Sequence, residues 1–101
     1  MAELVTVDLE SPIARGETII EALQLRKPKA GELRGLVLSE LTRGAVDQIL
    51  ELLPRITMPP LTSAEVEEMD PVNFAACASE VIIFFMSKTQ RAQVEKLIAT
   101  T

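Results

Sequence analysis

Few residues in this chain could perform chemistry, and each has a plainer explanation. Histidine is absent and cysteine occurs once, as Cys77. Without imidazole, neither a histidine-based nucleophilic triad nor the usual zinc sites can be assembled. Cys77 lies in the apolar run AACASEVIIFF, with no basic neighbour in sequence to stabilise a thiolate. A buried structural thiol is therefore the expectation. Glu65, Glu67, Glu68 and Asp70 form a cluster of acids that could bind a hard cation. Their spacing lacks the alternation and the glycine of a calcium loop, and acids near helix starts are favoured by the helix dipole. Arg26, Lys27 and Lys29 form a basic cluster without aromatic neighbours, which reads as a solvated strand end. No glycine-rich phosphate loop is present. The expectation is a protein that is not an enzyme and needs neither cofactor nor metal.

Composition narrows the partners. A chain of 101 residues is expected to form one domain over 1–101, and 48% of it is apolar with only three aromatic residues. The core must then be aliphatic. Two explanations of the aliphatic surplus stay open: a partner or second copy covers part of it, or a monomer core is simply well filled. A net charge of −5 and a pI near 4.7 argue against nucleic-acid binding, which normally requires a basic face. One cysteine excludes an internal disulfide and fits a reducing compartment. Met1 to Glu10 carries acids and no basic n-region, so a cytoplasmic location is expected.

The elements that would position these residues follow from periodicity. In LVTVDLE, Val5, Val7 and Leu9 alternate with Thr6, Asp8 and Glu10, the pattern of a half-buried strand ended by Ser11-Pro12. Arg15-Gly16-Glu17 supplies a turn, and Ile19, Leu23 and Leu25 mark a returning strand. A β-hairpin over 4–26 with a loop longer than two residues is predicted. From Pro28 the period changes to that of a helix. Leu33, Leu36, Val37 and Leu41 form a short or broken helix weakened by Gly31 and Gly35, with Ser39 placed to cap a restart. Val46, Ile49, Leu50 and Leu53 then make an amphipathic helix expected to stop before Pro54, so 28–53 is helical. Pro54, Pro59 and Pro60 predict an extended arm over 54–61, lying across the packed helices. Thr62 with Glu65 is a capping box, and Asp70-Pro71 is a second helix start, giving helices over 62–86. The fold class is α+β, mainly α, with three to five helices after the hairpin and a polar helical tail over 87–101.

The last strong helix is the most apolar segment. From Val72 to Met86 its only charge is Glu80. Fifteen helical residues rise about 22 Å, short of the roughly 30 Å hydrocarbon core, so a buried helix is expected and not a membrane span. Its bulky half is apolar all round, more than one packed stripe requires. Val81, Ile83, Phe84 and Phe85 are the candidate partner-binding residues. Phe84 shares a side with Glu80, so that side is expected to be solvent-accessible.

Two blocks, LRKPKAGELRGL (25–36) and VDQILELLPRITMPPLTSAEVEEMDP (46–71), carry a family likeness. Together they resemble the small tail assembly chaperone family of contractile-tailed phages and prophages, encoded between tail tube and tape-measure genes. The likeness rests on Leu25, Arg26 and Pro28 at a strand end, then Gly31 and Leu33 in a short turn of helix. In the second block it rests on Leu52, Leu53, Pro54, Arg55, Ile56, Pro59, Pro60 and Leu61, then on Asp70 and Pro71. It covers about residues 4–86. The resemblance implies a non-enzymatic protein that binds the tape-measure protein and keeps it soluble while the tube assembles. It also implies contact with tail tube protein through a frameshifted longer form, and absence from the mature virion. A homo-oligomer is a further expectation of the apolar last helix. A small regulatory or antitoxin-like dimer is the alternative, with that helix as its dimer core.

Overall fold

Leu4–Arg15 (β1) and Thr18–Arg26 (β2) pair as an antiparallel hairpin in the computed structural model, which describes residues 4–99. The connecting loop is two residues, shorter than expected, because Gly16 takes a positive φ of 58° at its first position. β1 does not end at Ser11-Pro12. Between the pairs Asp8↔Ala22 and Ile13↔Ile20, residues 9–12 stand opposite Glu21 alone. Proline lacks a ladder donor, and an irregularity of this kind is where a strand tolerates one. The slip also changes the phase of β2. Ile20, Leu23 and Leu25 are buried, while Ile19, which the two-residue spacing groups with Leu23 and Leu25, is exposed.

The glycine-weakened segment is broken, as its composition predicts. A 3-10 turn at Ala30–Leu33 is followed by α1, Leu38–Thr42. Ser39 does not cap α1, whose N-cap is Val37. The next helix, α2 (Val46–Ile56), runs through Pro54 instead of stopping before it. Proline in a helix interior costs an amide hydrogen bond and a steric clash. Here it falls in the last turn, and Leu52, Leu53 and Ile56 are all buried, so packing outweighs the lost bond.

The proline segment is likewise only partly the extended arm expected over 54–61, since its first residues end α2. Thr57–Met58 forms β3 and adds to the outer edge of β2, with Gln24↔Met58 and Leu25↔Thr57, giving the strand order β1-β2-β3. The Met58–Pro59 peptide is cis. Thr57 is buried, and its Oγ1 accepts the Leu61 amide at 3.1 Å, which closes the segment back on itself.

The two remaining starts are as predicted. Thr62 Oγ1 accepts the Glu65 amide and Glu65 Oε1 accepts the Thr62 amide, opening α3 (Ser63–Glu67). Asp70 Oδ1 accepts the Val72 amide and Pro71 is the first residue of α4 (Pro71–Phe84). The tail is not a continuation of α4. Ser87 Oγ accepts the Gln90 amide and Gln90 Oε1 accepts the Ser87 amide, a capping box that begins a separate α5 (Lys88–Ala99). The core lies between one face of the sheet and the helices. Val7, Leu23 and Leu25 meet Ile49, Leu52, Leu53 and Ile56 of α2, Val66 of α3, and Cys77, Val81 and Phe84 of α4.

Candidate functional site

The charged residues of the two sequence blocks hold the fold together. Arg26, at the end of β2, donates to Glu32 through both terminal nitrogens, Nη1 at 2.6 Å, and also to the carbonyl of Arg55 at 2.9 Å. Glu32 in turn accepts the Lys29 amide. Arg55 reaches back from α2 to the carbonyls of Glu32 and Arg34, at 2.7 and 2.9 Å. The paired guanidinium and the local amide hold the Glu32 carboxyl down at about 2.

A second tie joins the hairpin tip to α3. Arg15 contacts both Glu65 carboxylate oxygens, at 2.8 and 2.9 Å, and the Pro60 carbonyl at 2.8 Å. Glu65 is also held down at about 2, first by Arg15 and then by the Thr62 amide. A third tie is Asn73, which sequence reasoning missed. It is buried, its Oδ1 accepts the Glu10 amide at 2.7 Å, and its Nδ2 donates to the Ser11 carbonyl at 2.8 Å. An asparagine two residues inside an apolar helix was the available signal.

Burial pushes the Cys77 thiol up to about 11, with Glu80 adding to the effect, so the thiolate is strongly disfavoured. Among the described residues, no three acids, cysteines or histidines are grouped to hold a metal ion. No described helix is long and apolar enough to cross a membrane.

The candidate partner residues divide. Val81 is fully buried and Phe84 is only 4% exposed, so both belong to the core. The expected accessibility of Phe84 is therefore corrected. Phe84 lies seven residues after Cys77, which returns it to almost the same direction on the helix. That alignment outweighs its sharing a side with Glu80. Phe85 packs partly against the core, while Ile83 lines a groove with Val5, Met86 and Val94 between β1, the end of α4 and α5. The family-block apolar residues Leu25, Leu52, Leu53, Ile56 and Leu61 are buried, and Leu33 is partly so.

Exposed apolar residues also lie at the corner between α1 and α2. Val37, Leu38 and Val46, at the starts of α1 and α2, are 51%, 57% and 58% exposed. The corner is held by the Val37 amide, which donates to Gln48 Oε1 at 2.7 Å, and the Ala45 amide, which donates to the Glu40 carbonyl. Sequence reading placed Val37 and Val46 on packed faces. The restart at Val37 and the turn at Gly44 (φ 78°) rotate them outward.

This arrangement defines a small α+β protein whose described ionic ties brace loops and helix ends, and which presents an aliphatic corner to solvent. Residues 6–85 match the family model described as "Phage tail assembly chaperone proteins, E, or 41 or 14", and the chain belongs to this phage tail assembly chaperone family. Tail assembly protein E of Escherichia phage P2 is 40% identical over 78 residues, 77% of this chain and 86% of that protein. Tail assembly protein E′ of the same phage is 38% identical over 82 residues, 81% of this chain and 58% of E′. The matched region thus spans little more than half the length of E′. No solved structure matches the chain.

Proposed function

We propose that this tail assembly chaperone is a non-enzymatic binding protein that holds the tape-measure protein soluble until tube subunits enclose it. The observation that carries the reading is the corner of Val37, Leu38 and Val46, each more than half exposed on a domain with a filled core. Exposed aliphatic side chains at such a corner suit an apolar helical client. Relatives of two lengths, E and E′, are consistent with a longer form whose extension meets the tail tube protein. The protein would act in the host cytoplasm and be absent from the finished virion.

Co-expression with the adjacent tape-measure protein tests this. The wild-type chain should bring that protein into the soluble fraction and co-purify with it. Leu38→Asp together with Val46→Asp should keep the fold and lose the client. A tape-measure protein that stays insoluble with the wild-type chain, or that is retained equally by the variant, counts against the reading.

A further inference from the structure

Charge is unevenly divided along this chain. α5 carries Lys88, Arg91 and Lys96 against Glu95, a net of +2, which leaves −7 for the remainder. α5 also lies beyond the family match, which ends at residue 85. It presents apolar side chains outward, with Leu97 67% exposed, and Lys96 beside it is exposed too.

At the opposite end of α4 lies a groove of about 490 Å³ between the second half of β1 and the α3–α4 corner. Pro12, Ile13, Ala64 and Met69 give it an apolar lining. Its carboxylates are Glu65, Glu68 and Asp70. Arg15 neutralises Glu65, and Asp70 caps α4, whereas Glu68 is exposed. The groove is braced on both sides. Asn73 ties its β1 wall to α4, and Arg15 ties the hairpin tip to α3, so its shape is set before anything enters.

We infer that α5 of a second copy occupies this groove, with Leu97 over the apolar lining and Lys96 against Glu68, and that two such contacts close a dimer. Complementary charge selects the occupant: a +2 helix bearing exposed apolar side chains meets an acid-rimmed apolar groove on a −7 body. The positions of the two sites supply the geometry. Asn73, near the start of α4, touches β1 at Glu10 and Ser11, while Ile83, near its end, shares a groove with Val5 and α5. Groove and α5 therefore lie at opposite ends of the same β1–α4 pair. Two copies set antiparallel bring each α5 to the other's groove, an isologous contact that uses both sites twice and leaves none open. The inference is independent of the tape-measure reading, because its readout is self-association alone.

Sedimentation equilibrium of the full-length chain tests it, with circular dichroism confirming that each variant is folded. The wild type should be a dimer at low salt, and its dissociation constant should rise with added salt. Lys96→Glu and Glu68→Lys, both at exposed positions, each break the pair in both contacts and should weaken the dimer by up to about twenty-fivefold, about fivefold for each surface charge pair. Combining them restores the pair with reversed sign and should bring affinity back toward wild type. A wild-type monomer at about 100 times the concentration expected for a micromolar dimer overturns the inference. So do species larger than a dimer, single variants that associate like wild type, or a double variant no tighter than either single.

Discussion

Arg26 and Arg55 clasp each other's backbone surroundings: Arg26 donates to the Arg55 carbonyl at 2.9 Å, and Arg55 donates to the carbonyls of Glu32 and Arg34 at 2.7 and 2.9 Å. The strand end, the 3-10 turn and the last turn of α2 are thus fixed by two side chains from different sequence blocks. Carbonyls near a helix end lack intrahelical partners, and a guanidinium with a planar fork of donors satisfies several at once.

Replacing Arg55 by methionine keeps its apolar stem but removes both bonds. A loss of about 1 kcal/mol, or roughly 4–8 °C in melting temperature, is expected for exposed charge-assisted bonds in a domain this small. Arg26→Lys should not behave as a conservative change, since an ammonium cannot reproduce the two-pronged contact with Glu32 and also reach the Arg55 carbonyl. Thermal melts of Arg26→Lys and Arg26→Met that coincide would support this, and a Lys variant matching wild type would refute it.

Acid sensitivity follows from Glu32 and Glu65. Both ordinarily titrate near 4.5 and are held at about 2 in the folded chain by their arginine partners. The unfolded chain therefore takes up these protons first. The stabilisation is fully present above pH 4.5 and is lost as the pH falls from 4.5 toward 2. Both carboxylates are partly exposed, so salt should shrink the effect. Melting temperature measured across this window should fall for the wild type, and fall less for Glu32→Gln combined with Glu65→Gln. Equal slopes would show that these pairs are not the cause.

Asn73 holds the irregular part of β1 through one accepted and one donated bond. Asn73→Ala leaves the Glu10 amide and the Ser11 carbonyl without that partner in a partly buried setting, at about 1–3 kcal/mol for each group left unsatisfied. Asn73→Asp keeps the acceptor for Glu10 but sets a buried carboxylate against the Ser11 carbonyl, so it should cost at least as much global stability as alanine while keeping the Glu10 bond. Hydrogen exchange at Glu10 gives a local readout: protection should drop in the alanine variant and persist in the aspartate one.

Much of this was legible because local rules and tertiary packing agree. Thr62 with Glu65 and Asp70 with Pro71 satisfy orphan amides by adjacent residues, so sequence alone places those helix starts. The alternation of Val5, Val7 and Leu9 reports a strand with one face covered. Misreadings occurred where distant residues decide. Pro54 stays inside α2 because its neighbours are buried, and β3 exists because β2 offers an edge for Thr57 and Met58 to pair with. The phase of β2 changes because residues 9–12 of β1 face Glu21 alone, a slip that alternation in β2 does not announce. The start of α5 was legible in principle, since Ser87 and Gln90 have capping-box spacing.

Core placement of α4 gives the last test. Phe84 lies on the line of Asn73, Cys77 and Val81, all buried, and is itself 4% exposed. Phe84→Ser removes a ring from a filled interior and leaves a hydroxyl among aliphatic neighbours, so a loss of about 3–5 kcal/mol is expected. In a domain of this size that is a large share of total stability. Leu52→Asp should be at least as severe, because Leu52 is fully buried and an unpaired carboxylate there has no partner. Phe74→Asp should be milder, since Phe74 is only partly buried and its charge can reach water. Ile83→Ser, on the groove beside Val5 and Met86, should be milder still. Urea unfolding of the four variants ranks them. A loss below about 1 kcal/mol for Phe84→Ser, the range of ordinary surface changes, would return Phe84 to the surface and undo this assignment of the α4 face.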